Sequence, residues 1–107
     1  HYTYGGDLAR GIRICIEDEK SINQDFNIST SVSTTVLELA EIIWKKINPK
    51  KPFNYLSDTP FLYDVQKRVP DVGKMKDLLG FEASTPLDKA LDEVIPWIDE
   101  QIKLGTI

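Results

Sequence analysis

The chain has 107 residues, of which 41% are hydrophobic and 28% charged, and its formal net charge is −4. This length excludes two domains or a large self-sufficient enzyme, and the acidic balance argues against a nucleic-acid or anionic-membrane partner. The single cysteine excludes an intrachain disulfide, and no apolar run reaches the length of a membrane span, so we expect a cytoplasmic protein.

The first third of the chain predicts two short strands around one helix. Residues 2–4 alternate as in a strand, and Asp7 is a predicted N-cap. The helix that follows carries an apolar face formed by Leu8, Ile12, Cys15 and Ile16. Residues 26–29 form the second brief strand candidate.

The middle of the chain predicts a helix with a clear start signal. Thr35 and Glu38 have the spacing of a capping box, in which each side chain accepts a backbone amide at the helix start. A buried stripe is expected at Val36, Ala40, Ile43, Trp44 and Ile47. Residues 53–57 alternate and form a third strand candidate.

The last part predicts two helices after a long connection. Residues 58–70 have no clean period, and a connection of this length is often functional. Asp71 is expected to cap a short helix that ends before Gly80, a residue suited to the left-handed backbone conformation. The final helix begins at Thr85 and contains Pro96, where we expect a kink. Its predicted buried stripe consists of Leu87, Leu91, Val94, Ile95, Ile98 and Ile102.

The sequence contains no autonomous catalytic or metal-binding motif. A glycine-rich phosphate loop, an HExxH motif and paired cysteines are absent. His1, the only histidine, is interpreted as a terminal or tag residue and receives no role. Residues 58–70 form the most site-like segment, because Arg and Lys beside Tyr and Phe can hold a diphosphate and face a sugar or base. A surface loop with ordinary ion pairs is the simpler interpretation of spacing alone.

Three ordered motifs alter that interpretation. The first motif, YxYVxDxAxG, is matched by Tyr2, Thr3, Tyr4, Asp7, Ala9 and Gly11. The second motif is an FNIG strand and the helix after it. It is matched by Phe26, Asn27 and Ile28 and then by Val36, Glu38, Leu39 and Ala40. The third motif, QKRxPDxxKxxxxLGF, is matched by Gln66, Lys67, Arg68, Pro70, Asp71, Val72, Lys74, Leu79, Gly80 and Phe81. In this order they resemble the NAD-dependent sugar epimerase/dehydratase group of the extended short-chain dehydrogenase/reductase superfamily.

The resemblance implies an α/β fold, α+β as an isolated fragment, with about four helices and a few short strands. Residues 1–107 are then a single C-terminal substrate-binding segment of a Rossmann-type enzyme, whose NAD-binding N-terminal part and catalytic residues lie outside this chain. NAD is implied for the complete parent and no cofactor for this chain alone. No catalytic residue and no metal ligand is expected here.

The resemblance also implies substrate-binding residues. Arg68 corresponds to an Arg that holds the substrate diphosphate, Asp64 to the Asp of an RxGD motif, and Tyr63 is a lining candidate. Phe61 stands where that motif has its Arg, so Arg68 would substitute for it.

The implied function is nucleoside-diphosphate-sugar binding within an NAD-dependent epimerase/dehydratase, for example a UDP-glucose 4-epimerase-like enzyme, with the fragment itself inactive. The alternative is a stand-alone, non-enzymatic α+β module that binds a protein through residues 58–70. We expect a homo-oligomer, because surface normally covered by the dinucleotide domain would be exposed.

Overall fold

Helices make up the regular structure of the chain in a computed structural model that describes residues 1–65 and 67–107. Gln66, part of the third motif, lies outside the described residues. The elements are α1 (Gly5–Glu17), a 3-10 turn (Glu19–Ser21), α2 (Val36–Ile47), α3 (Gly73–Leu79) and α4 (Leu87–Leu104). No described helix combines the length and the apolar character needed to cross a membrane.

The expected α/β fold with a few short strands is wrong. Within residues 1–65 and 67–107 there is no strand or sheet, and the chain is predominantly helical. The first strand candidate does lie beside a second segment, but side chains connect the two. Thr3 Oγ1 accepts the Thr30 N–H at 3.1 Å and lies 3.1 Å from Ser29 Oγ. A strand requires a ladder of backbone hydrogen bonds to a neighbour, and alternating side chains alone do not supply that neighbour.

The ends of the helices follow the local sequence signals. The capping box at α2 is confirmed, with the Glu38 N–H donating to Thr35 Oγ1 at 3.1 Å and the Thr35 N–H donating to Glu38 Oε2 at 2.6 Å. Gly80 follows α3 with φ of 65°, as predicted for a left-handed C-terminal residue. Asp71 accepts the Gly73 N–H at 2.9 Å, although Val72 is the N-cap of α3. Helix α4 continues through Pro96.

A small core lies between α1, α3 and the segment after α3. Met75, Phe81 and Ala83 form its buried centre. The partly buried residues packed against it are Ile14, Cys15, Phe26, Ile28 and Leu79. Gly11 of α1 is buried against this cluster, since a Cβ atom there would lie 2.7 Å from Ile28 Cγ2 and 3.0 Å from Phe81 Cε1. The absence of a side chain at Gly11 therefore lets α1 approach the core closely.

The buried face of α1 differs from the predicted one. Asp7 and Gly11 are buried, whereas Leu8, Ile12 and Ile16 are exposed. A hydrogen bond between Asp7 of α1 and Thr85 in the segment after α3, called the clasp below, accounts for this orientation. Asp7 Oδ2 accepts the Thr85 N–H at 2.8 Å, and this bond turns the Asp7 side of the helix toward the segment after α3. Of the predicted apolar face of α1, Cys15 packs against the core, while Leu8, Ile12 and Ile16 face away from it.

Arg10 completes the clasp between α1 and the segment after α3. One of its guanidinium nitrogens lies 2.8 Å from Asp7 Oδ1 and 3.2 Å from the carbonyl oxygen of Glu82, and the guanidinium lies 5.0 Å from the centre of the Phe81 ring. Ion pairing, a backbone hydrogen bond and a cation–π contact therefore converge on one side chain.

Helices α2 and α4 border an open apolar groove of about 640 Å³. Lys46 joins the two helices at its edge, with its ammonium 2.8 Å from Asp88 and 2.6 Å from Asp92. The groove residues from the two predicted stripes include Ile43, Ile47, Val94, Ile98 and Ile102. None of the α2 residues is fully buried, so the stripe predicted as core is a partly solvent-facing surface in this chain.

Candidate functional site

A cleft of about 470 Å³ lies between the loop before α3 and the segment that follows residue 25. It is lined by His1, Phe26, Asn27, Ile28, Ser29, Arg68, Val69 and Pro70. The two walls are joined where Asn27 Nδ2 donates to the carbonyl oxygen of Asp71 at 2.9 Å. This hydrogen bond holds the loop that carries Arg68 against the FNI motif, so two of the three sequence motifs meet in one cleft.

Arg68 is the charged side chain that the loop contributes to this cleft. Its guanidinium is permanently protonated and presents a planar set of donors that suits a diphosphate. The volume falls within the roughly 300–1,000 Å³ typical of small-molecule sites. The neighbouring cation Lys74 is already engaged, since it lies 2.8 Å from Asp25 Oδ1 and 5.4 Å from the Phe26 ring centre. The Lys74 hydrogen bond lowers the pKa of Asp25, which stays ionised at neutral pH.

Sequence reasoning missed His1 as a lining residue of the cleft. Its Nδ1 lies 2.9 Å from the carbonyl oxygen of Thr30. A carbonyl oxygen only accepts, so Nδ1 carries the proton in this contact. The buried Nε2 has no hydrogen-bond partner among residues 1–65 and 67–107. No sequence signal identifies this placement, because it depends on residues 1–3 lying beside Ser29 and Thr30.

The structure does not bring Asp64 and Tyr63 into the cleft lining. Both belong to a turn in which the Asp64 N–H donates to the Phe61 carbonyl oxygen at 3.3 Å. The Tyr63 side chain is 93% exposed. Of the three predicted substrate-binding residues, Arg68 alone is placed in the cleft, with Asp64 and Tyr63 on the preceding turn.

The side chains that line the described part of the cleft include one guanidinium and no carboxylate. The Arg68 guanidinium and the His1 imidazole lie there among apolar side chains, the Asn27 amide and the Ser29 hydroxyl. In the part of the chain that the structure describes, no group of three or more His, Cys, Asp or Glu side chains is arranged to hold a metal ion. The Arg68 guanidinium in this cleft has the donors from which a phosphate group accepts.

Comparison with curated proteins confirms the resemblance to the nucleotide-sugar epimerase/dehydratase family of the extended short-chain dehydrogenase/reductases. UDP-glucuronic acid decarboxylases are among the relatives that it finds. UDP-glucuronic acid decarboxylase 1 of Danio rerio is 26% identical over 102 residues, which are 95% of this chain and 23% of that protein. UDP-glucuronic acid decarboxylase 4 of Arabidopsis thaliana is 31% identical over 90 residues, 84% of this chain and 19% of its own length.

UDP-glucuronic acid decarboxylase 5 of Arabidopsis thaliana is 29% identical over 103 residues, 96% of this chain and 28% of that protein. The chain therefore spans about a quarter of the length of the curated relatives it matches. No family model matches the chain, and no solved structure matches it.

Proposed function

We propose that residues 1–107 are the substrate-binding part of an enzyme of the UDP-glucuronic acid decarboxylase type and bind a nucleoside-diphosphate sugar through Arg68. The observation that carries this proposal is the cleft lined on one side by Arg68, Val69 and Pro70 and on the other by the FNI segment. The similarity of nearly the whole chain to UDP-glucuronic acid decarboxylases supports the choice of ligand.

The residues of this chain do not themselves fit an NAD site. A dinucleotide requires a glycine-rich turn that lets its pyrophosphate approach a helix N-terminus, and the sequence has no such turn. In the proposed enzyme, NAD is held by residues outside this chain and supplies reversible oxidation of the sugar. Residues 1–107 hold and orient the nucleotide end of the substrate, and we expect no turnover from them alone.

The names of the relatives favour decarboxylation over the epimerisation suggested by a UDP-glucose 4-epimerase-like enzyme. They also favour an enzyme segment over a stand-alone protein-interaction module, because 95% of the chain aligns with one such enzyme.

The Arg68→Ala substitution tests the proposal. Loss of charge-assisted hydrogen bonds to the diphosphate should weaken binding of UDP-glucuronic acid by about 2 kcal/mol, close to thirty-fold in Kd. Binding is measured on the 107-residue chain by NMR titration at millimolar ligand. Lys67→Ala is the matched control, since it removes a neighbouring positive charge that does not line the cleft.

Two outcomes would contradict the proposal. The first is an unshifted spectrum of the unsubstituted chain at saturating UDP-glucuronic acid. The second is an equal loss of affinity in the Lys67 and Arg68 variants, which would indicate attraction by net charge without a specific site. Circular dichroism of both variants checks that helix content is retained.

A further inference from the structure

A second, smaller cavity lies between the segment that follows the FNI motif and the segment after α3. Its volume is about 200 Å³. Five of the residues that line it are serines or threonines, so we call it the hydroxyl pocket: Thr30, Ser31, Thr34, Ser84 and Thr85. No described residue lines both this pocket and the cleft that contains Arg68. The two cavities are therefore separate.

Contacts within the chain hold the walls of the hydroxyl pocket in place. Thr30 and Ala83 are buried, and Ala83 belongs to the core of the chain. The Thr30 N–H donates to Thr3 Oγ1 at 3.1 Å and fixes one wall. The Thr85 N–H donates to Asp7 Oδ2 at 2.8 Å and fixes the other. Because both walls are anchored in the chain without a ligand, binding there does not have to order a loop.

The charge of the lining favours an uncharged ligand. Among the described residues that line the pocket, the one charged side chain is Glu82. Its carboxylate lies 3.0 Å from the ammonium of Lys76. An anion would meet this carboxylate and no cation in the lining, whereas a cation would compete with a lysine that is already paired.

The remaining lining suits a molecule that has both hydroxyl groups and an apolar face. A hydroxyl group both donates and accepts, and Ser31 and Ser84 are exposed, so the water at their hydroxyls can be displaced by a ligand. The Tyr2 ring also lines the pocket and offers an aromatic face to C–H groups. A volume of about 200 Å³ is below the roughly 300–1,000 Å³ of sites for drug-sized ligands, so the pocket suits a single sugar ring.

We propose that the hydroxyl pocket binds a neutral monosaccharide in its pyranose form. The hydroxyls of Ser31 and Ser84 hydrogen-bond to the sugar hydroxyls, and Tyr2 contacts the C–H face of the ring. This site goes beyond the proposed function, because it lies outside the Arg68 cleft and takes a ligand without a phosphate group.

The test is an NMR titration of the 107-residue chain with methyl β-D-glucopyranoside. We expect shifts at the amides of residues 30–34 and 82–85, unchanged by saturating UDP-glucuronic acid. Two related ligands should bind about five-fold or more weakly. The methyl glucuronide adds a carboxylate that meets Glu82, and tetrahydropyran-2-methanol keeps the ring but lacks its hydroxyls.

The Ser31→Ala/Ser84→Ala double variant should bind the glucoside about five-fold or more weakly than the unsubstituted chain, because it removes two hydrogen-bonding groups. Ser33→Ala/Ser57→Ala is the matched control, since both serines are exposed and neither lines the pocket. Its affinity should be unchanged, and circular dichroism checks that both double variants retain their helix content.

An unshifted spectrum at about 100 mM glucoside, which would saturate a millimolar site, would overturn the proposal. Equal losses of affinity in the two double variants, tighter binding of the glucuronide, or displacement of the glucoside by UDP-glucuronic acid would also overturn it. Failure here leaves the proposed function standing, because the Arg68 titration concerns a different ligand and a different cavity.

Discussion

Asp7 shows how one buried carboxylate can determine which face of a helix is covered. Burial alone would raise its pKa, but the hydrogen bonds from the Thr85 backbone and hydroxyl, together with Arg10, outweigh that effect and hold the pKa of Asp7 below its usual value. The ionised form is therefore the one that the fold stabilises. Sequence reasoning placed Asp7 at the helix start but assigned its acceptor role to the wrong amide, because Thr85 is distant in the sequence.

The Asp7→Asn substitution should lower the free energy of unfolding at pH 7 by about 1–3 kcal/mol, since it removes the negative charge of a buried acceptor that pairs with Arg10 and the Thr85 N–H. The pH dependence has a definite sign. The folded pKa is lowered, so the contribution of Asp7 is complete above the unfolded value of about 3.9 and is lost as the pH falls through the folded pKa. Urea unfolding at pH 7 and at about pH 3 measures both effects.

Asp99→Asn is the control for that comparison, because Asp99 forms an exposed i,i+4 pair with Lys103, worth roughly 0.3–0.5 kcal/mol. Equal losses of stability in the Asp7 and Asp99 variants would show that the clasp does not contribute specifically.

At the scale of the elements, helix ends and helix faces were each predictable only in part. The N-cap of α1 is Tyr4 and not the predicted Asp7, whereas Leu91 of the stripe predicted for α4 is buried. The capping box at Thr35 and the left-handed Gly80 depend on contacts within a few residues, which the local sequence contains. The buried face of a helix depends on what packs against it. In α1, the close approach at Gly11 and the Asp7 clasp outweigh the apolar face that periodicity identifies. Strand pairing failed as a prediction for the same reason.

Gly11→Ala should destabilise the chain even though alanine favours helix by about 1 kcal/mol over glycine. The added methyl would lie under 3 Å from Ile28, so helix α1 must shift, at a net cost of about 1–2 kcal/mol. Gly5→Ala is the control in the same helix, because no atom beyond its chain neighbours and the adjacent helix backbone lies within 4 Å of the position that its methyl group would take. Thermal unfolding of the two variants gives the comparison, and a Gly11 variant as stable as the Gly5 variant would refute the packing argument.

The whole molecule is more open than a globular chain of its mass. Its accessible surface is 8678 Å², whereas a compact 12.2 kDa monomer exposes about 6,100 Å². Its radius of gyration is 17.1 Å, against about 13 Å for a compact chain of this length. Exposed apolar surface on α1 and in the groove between α2 and α4 accounts for part of this difference.

We predict that the isolated chain self-associates, because surface of this extent and character favours association. Sedimentation velocity should show an average mass that rises with protein concentration. Ile98→Lys, which places a charge in the groove, should reduce that rise without altering helix content. A monomeric profile at high concentration would contradict the prediction.

For the candidate site, the sequence indicated the loop that carries Arg68 but not the residues that line the cleft opposite it. Arg68 was identifiable because its motif is continuous in sequence, and its placement in a cleft depends on the Asn27 hydrogen bond across 44 residues. His1 was not identifiable, since its position depends on a contact with Thr30. The roles of Arg68, Asp64 and Tyr63 toward substrate stay predictions, and the titration of the Arg68 variant addresses the first of them.

The clasp also has a consequence for the order of events in folding. The Asp7–Thr85 hydrogen bond joins residues 78 positions apart, and the Tyr4 hydroxyl donates to Glu93 across 89 positions. Closing a loop of that length costs about 4 kcal/mol of chain entropy. Docking of the first helix should therefore wait until the intervening chain has collapsed, so the amides of α1 should gain protection from hydrogen exchange later than those of α2, whose capping box forms within the helix itself.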